Sequence, residues 1–144
     1  MKTFQKLCVP GLLAMVAVCT SAQQQSTELK HEAAPVTSAA SGSEMYKNYC
    51  ASCHGKGGKG DGPAAAALKA APPDLTTLAK RNDGKYPAQK VTSILQGKEK
   101  LVAHGDQEMP VWGPVFSSVS GRSEGIVDLR ISNLNKFLES LQAK

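Results

Sequence analysis

This chain of 144 residues has no second cysteine pair and no His-x₃₋₅-His run, so the remaining ligands of a structural zinc site are missing. No stretch alternates apolar and polar residues convincingly as a strand, and no strand–helix–strand pattern is present. That excludes a parallel-sheet nucleotide fold and a thioredoxin-like dithiol domain together. Internal repeats are lacking as well. The main apolar stretch, Leu7 to Cys19, is broken by Pro10 and Gly11 and is too short to span a bilayer comfortably. Net charge is not extreme either. The formal value is +5, and Lys2 and Lys6 near the N-terminus account for two of those charges, leaving +3 beyond them. Such mild basicity suits an acidic protein partner and makes no case for nucleic acid.

What is present begins with an export signal. Lys2 and Lys6 form a basic start, Leu7–Cys19 an apolar core, and Thr20-Ser21-Ala22 a small-residue cleavage site. Residues 1–22 therefore read as a signal peptide that is cut after Ala22 and takes Cys8 with it. The mature protein is expected in the periplasm or otherwise outside the cytoplasm. Cys19 keeps a second outcome open. Val16-Ala17-Val18-Cys19 resembles a lipoprotein signal, although Val18 is larger than the usual residue before a lipidated cysteine. A lipid anchor at Cys19, tethering the protein to a membrane, is the alternative to a soluble product. Residues 23–42 are a Gln/Ser/Thr/Ala run without hydrophobic period, read as a flexible polar linker in which His31 is solvated. Residues 43–144, about 100 in number, are one small domain.

Within that domain only helical patterns emerge. Ser43 is a suitable N-cap for a helix through Tyr49, with Glu44 in its first turn. Gly42, Tyr46 and Cys50 fall four apart and share one face. Pro63 is placed to open a short helix over residues 64–70 that Pro72 and Pro73 end. Another helix is predicted from Pro87 to Gln96, stopped by Gly97 and apolar at Val91, Ile94 and Leu95. The last helix has the clearest period: Val127, Arg130, Ile131, Leu134, Leu138 and Leu141 recur at three and four, with Phe137 beside them. Arg130 stands at the edge of that stripe, where a long side chain can snorkel to water. The fold class is all-α.

The chemistry centres on Cys50-Ala51-Ser52-Cys53-His54. A Cys-x-x-Cys-His run is the attachment signature of c-type haem. Two thiols three residues apart in a helical turn can reach two vinyl groups on one edge of a porphyrin, leaving the next imidazole beneath the ring. A Cys50–Cys53 disulfide, a redox dithiol or half a zinc site are the alternatives that the motif leaves open. Gly55-Lys56-Gly57-Gly58-Lys59-Gly60 fits G-x-G-x-x-G in letters only, because no strand precedes it, and is read as a flexible loop.

In these residues the chain resembles class I monohaem c-type cytochromes, particularly small bacterial ones with a Gly-Asp-Gly-Pro loop. The resemblance extends over Gly42–Gln142. It rests on the Gly42–Tyr46–Cys50 spacing, Cys50–His54, Gly60-Asp61-Gly62-Pro63, Pro73-Asp74-Leu75, His104-Gly105, Met109-Pro110-Val111-Trp112-Gly113 and the closing helix. It implies a cytochrome c fold, short helices around one haem c bound covalently through Cys50 and Cys53. It further implies that His54 is the proximal iron ligand, oriented through its second N–H by a proline carbonyl. Pro73 matches that context best, with Leu75 on the ring, and Pro63 is the competitor.

Elimination points to Met109 as the distal ligand. Met1 and Met15 lie in the signal peptide, and Met45 stands only five residues before Cys50, on the entering helix, where it is read as a core contact. Met109 sits between Gly105 and Pro110 in a stiffened loop, and His104 is the rival ligand. His/Met ligation gives a higher potential than two histidines and leaves no open site for oxygen or peroxide. Trp112 can donate its indole N–H to a haem propionate. Arg81 and Tyr86 are weaker propionate candidates, and Tyr46, Tyr49 and Phe116 are read as pocket and helix-contact aromatics. Lys56, Lys59, Lys98 and Lys100 flank the haem-bearing segments as a docking surface or as solvated charges.

The expectation is an extracytoplasmic one-electron carrier, not an enzyme. Redox proteins, membrane respiratory complexes among them, would serve as donor and acceptor. The alternatives are an electron-accepting cytochrome subunit of a periplasmic dehydrogenase or respiratory complex, and a haem-based ligand sensor.

Overall fold

A computed structural model describes residues 34–99 and 109–143. The expected signal peptide, Cys19, His31, Lys100 and His104 lie outside the described residues.

Every regular element among the described residues is helical. Helix α1 (Gly42–Met45) is capped by Ser41, whose hydroxyl accepts the Glu44 N–H at 3.2 Å. Ser43, the expected cap, stands inside the first turn; a second serine two residues earlier reaches the free amide first. The chain continues through a π-helical turn, Tyr46–Cys50, into α2 (Ala51–His54). The helix expected over residues 64–70 is reduced to one 3₁₀ turn, Ala65–Ala67. Leu68 is already extended, and with Pro72-Pro73 close behind, too few residues remain to propagate a helix. Two further 3₁₀ turns follow, Leu75–Thr77 and Lys80–Asn82.

Helix α3 (Ala88–Leu95) starts directly after Pro87, as expected. Helix α4 (Trp112–Val119) has no counterpart among the expected helices. Pro114 sits in the first turn, where an N–H has no intrahelical partner to lose. Helix α5 (Glu124–Ser140) carries the apolar period and is the longest element. Among the described residues no helix is long and apolar enough to cross a membrane.

The core gathers where α1 crosses α5 and α4 packs on α5. Met45, Tyr46, Phe116 and Leu134 are its most deeply buried large side chains. A Cβ on Gly42 would overlap the Asn133 carbonyl oxygen and stand 2.8 Å from Phe137 Cβ, so only glycine allows this crossing. One turn on, Tyr46 and Phe137 place their rings 5.2 Å apart. Asn135 ties α5 to α3, its amide donating to the Ala88 carbonyl and to Thr92 Oγ1, both at 2.8 Å.

Two sequence expectations are corrected here. Residues 34–42 are not linker; they are docked on the domain. Arg130 donates through Nη1 to Thr37 Oγ1 at 3.0 Å and through Nη2 to the Thr37 carbonyl at 2.8 Å. Asn133 Nδ2 donates to the Ala39 carbonyl at 3.0 Å. Arg130 accordingly does not snorkel. It is only 4% exposed, with Nε bound to Ser120 Oγ at 2.9 Å. A guanidinium has five donors in a fixed fork, and Thr37 supplies acceptors that a stripe of leucines could not.

Candidate functional site

The Cys-x-x-Cys-His run ends a helical turn, and the last carbonyls of a free helix have no donors to satisfy them. The loop that follows folds back to supply those donors. Gly60 N–H donates to the His54 carbonyl at 2.9 Å, Gly62 to Cys53 at 3.1 Å and Ala64 to Ser52 at 2.9 Å. Gly62 lies so close that a Cβ there would overlap the Ser52 carbonyl oxygen. Tyr46 braces the same turn, donating its hydroxyl to the Gly55 carbonyl at 2.7 Å. The Gly-Asp-Gly-Pro segment thus works as a backbone clamp on the motif.

Cys50 and His54 are buried and Cys53 is partly exposed. Burial pushes the Cys50 thiol up to about 12, with Cys53 adding to the effect. A thiolate is strongly disfavoured at Cys50, whereas an uncharged thioether suits the position. Among the described residues no cluster of three His, Cys, Asp or Glu side chains is placed to hold a metal ion alone.

Two cavities meet at the motif, and Cys50, His54 and Met109 line both. The larger, of about 350 Å³, has Pro73, Leu75, Leu78, Val91 and Leu138 among its walls, with Arg81 and Lys90 also lining it. The smaller runs along Cys53, Leu68, Pro72, Tyr49 and Trp112. All seven residues singled out in the sequence for cofactor contact, Cys50, Cys53, His54, Pro73, Leu75, Met109 and Trp112, therefore face this one region. Pro63 is exposed and lines neither cavity. Met45 is fully buried in the core and is absent from both walls.

The wall at Pro73–Leu75 is held from two sides. Thr76 donates its hydroxyl and its amide to Asp74 Oδ1, at 2.6 and 2.8 Å. Those bonds, the hydroxyl first, hold the Asp74 carboxyl below the usual carboxylate range, and Arg81 and Lys59 assist. From the C-terminus, Gln142 donates to the Leu75 carbonyl and accepts the Ala79 N–H, each at 2.9 Å. Arg81, a propionate candidate in the sequence, donates Nη2 to the Asp74 carbonyl at 2.7 Å while lining the larger cavity. Tyr86 instead donates to Asn135 Oδ1 at 2.6 Å, and burial raises its phenol. Lys56, Lys59 and Lys98 are exposed.

The smaller cavity has an aromatic lining in Tyr49 and Trp112. Tyr49, Trp112 and Phe116 stand 5.5 to 5.8 Å apart, centre to centre. Trp112 Nε1 is buried and meets no acceptor among the described residues. A buried indole N–H without an acceptor carries a free-energy cost. It fits a site whose ligand brings an acceptor of its own, as a carboxylate-bearing ring does. Paired thiols at one edge, an imidazole and a thioether on the shared walls, apolar sides and this donor are together the donor set that a covalently attached haem requires.

The comparison with protein families agrees. The sequence model for cytochrome c matches residues 39–142, and the chain belongs to the cytochrome c family. Neither a curated protein nor a solved structure matches it. Family and helical architecture together define a c-type cytochrome with the cytochrome c fold, a protein of haem-based electron transfer that carries covalently bound haem c. The contributions of Thr37, Arg130 and Gln142 were not foreseen from the sequence. The only available signal was a cationic residue within an apolar helical stripe.

Proposed function

We propose that this protein is an extracytoplasmic one-electron carrier. It holds a single haem c through thioether bonds to Cys50 and Cys53, with His54 and Met109 as axial ligands. The observation that carries the reading is that Cys50, His54 and Met109 border both cavities of one cleft. When bound, haem supplies a one-electron Fe(III)/Fe(II) couple. The chain's own residues do the rest. Cys50 and Cys53 fix one edge of the ring, and the clamp of Gly60 and Gly62 on the motif carbonyls keeps His54 in place. Met109 offers a soft thioether that fills the sixth position, raises the potential and closes the iron to external ligands. Pro73, Leu75 and Leu138 keep water off one side, and Trp112 gives its N–H to an acidic substituent.

Haem staining after denaturing electrophoresis tests the attachment. Colour should persist in the wild type and fall in Cys50→Ala; complete loss from the wild type would sink the proposal. The sixth ligand is tested by the weak near-infrared absorption that sulfur ligation gives to ferric haem. Met109→Ala should abolish the band, lower the potential and admit carbon monoxide to the reduced protein. A band retained in Met109→Ala would assign another sulfur, whereas a wild type without the band, whose spectrum is unchanged in Met109→Ala but altered in His104→Ala, would assign the histidine instead.

Export through residues 1–22, release as a soluble periplasmic protein and exchange of electrons with other redox proteins belong to the same reading. Intact mass decides the first step. A mature chain beginning at Gln23 fits cleavage after Ala22, and one beginning at Cys19 with added acyl mass fits a lipid anchor.

A further inference from the structure

Residues 34–38 precede the segment matched to the family, yet they reach the site through a directed chain of hydrogen bonds. Arg130 is 4% exposed, and no carboxylate pairs with it among the described residues. Its Nη1 donates to Thr37 Oγ1 at 3.0 Å, while Thr37 Oγ1 and the Tyr49 hydroxyl stand 2.9 Å apart. The Tyr49 hydroxyl in turn donates to the Pro35 carbonyl. Each hydroxyl has a single proton, so one arrangement satisfies all three contacts. Arginine donates to threonine, threonine to tyrosine, and tyrosine back to the Pro35 carbonyl. Thr37 is 5% exposed, which makes the loss of any member costly.

The far end of this chain is a wall of the cleft. The Tyr49 ring stands 5.5 Å from Trp112 and 5.7 Å from Phe116, and Tyr49 and Trp112 both line the cavity shared with Cys53 and His54. We propose that residues 34–38 are a clasp of the haem site. In it Thr37 and Arg130 are positioning residues that fix Tyr49 and, through its ring, Trp112. Both Nη atoms of the buried arginine are spent on Thr37, and among the described residues no carboxylate competes for them. The inference rests on the haem reading above for its consequence, but the geometry of the wall does not depend on it.

The test uses the full-length reduced holoprotein and Thr37→Val, which keeps shape and removes the hydroxyl, with Thr37→Ser as the rescue. Two readouts are followed. One is Soret circular dichroism, which senses aromatic rings beside the porphyrin, and the other is hydrogen exchange at the Trp112 indole N–H. Thr37→Val should alter the Soret dichroism and speed indole exchange by roughly tenfold, the worth of one buried hydrogen bond. Thr37→Ser should restore both, and in a Tyr49→Phe background Thr37→Val should add little to either. Wild-type dichroism and exchange in Thr37→Val would overturn the clasp even if the melting temperature fell. An undiminished effect in the Tyr49→Phe background would overturn the route through Tyr49. A wild type without covalent haem would overturn the carrier reading instead, and the indole exchange would still decide the clasp.

Discussion

Alanine at Gly42 sets helix propensity against steric overlap, and the structure decides which wins. In an exposed helix the change from glycine to alanine gains about 1 kcal/mol. Here the added Cβ would overlap the Asn133 carbonyl oxygen and lie 2.8 Å from both the Asn133 carbonyl carbon and Phe137 Cβ. Two of those three atoms are backbone of α5, so no rotamer change relieves the contact. Overpacking costs about 1–3 kcal/mol, and the upper end applies when a helix has to shift. A net loss near 2 kcal/mol remains, roughly a thirtyfold fall in the folded-to-unfolded ratio. Gly57 supplies the control, because a Cβ there meets nothing within 4 Å. Guanidinium unfolding of the holoprotein, followed by far-ultraviolet dichroism, should therefore separate the two variants. Gly57→Ala is expected within about 0.5 kcal/mol of wild type. A Gly42→Ala protein as stable as wild type, or more so, would refute the tight crossing of α1 and α5.

Tyr46 is held neutral by burial, with Cys50 and Asp61 adding, and its phenol is pushed from 10.0 up to about 12. Its proton is retained in the folded state where the unfolded chain has lost it, so stability is full below pH 10 and falls from there toward 12. Tyr46→Phe should flatten that part of an alkaline unfolding profile. Gln142→Ala removes two contacts to the Leu75–Ala79 segment and should loosen one cavity wall, read as faster amide exchange at Ala79. Trp112→Phe keeps a ring but deletes the buried donor. If that N–H serves an acidic haem substituent, the pH dependence of the reduction potential should move to higher pH, and an unmoved profile would reject the pairing.

The features legible in the sequence are those specified over short spans. Cys50, Cys53 and His54 act through spacing within one turn, and the α5 stripe through a period of three and four, so both are plain from residue order alone. Pro87 and Gly97 bracket α3 for the same local reason. Some misplacements are also local, and they arise where one short segment allows two readings. Ser41 and Ser43 are equally good caps by type, and only the path of the preceding segment chooses between them. Gly113-Pro114 reads as a breaker until Pro114 is placed in the first turn of α4.

What remained illegible is the polar pairing that closes the domain, because it joins positions far apart in the chain. Arg130 meets Thr37 across 93 residues, Asn133 meets Ala39 across 94 and Gln142 meets Leu75 across 67. A Gln/Ser/Thr/Ala composition has no hydrophobic period, and from composition alone it reads as solvated chain. Its ordering here rests on donors of α5 that it satisfies, with Ala34 packed against the core beside them. Burying a guanidinium without acceptors costs several kcal/mol, and that penalty is removed only when the segment at Thr37 is in place. The charged residue that looked like an edge of the α5 stripe thus anchors Thr37, two residues upstream of the segment matched to the family.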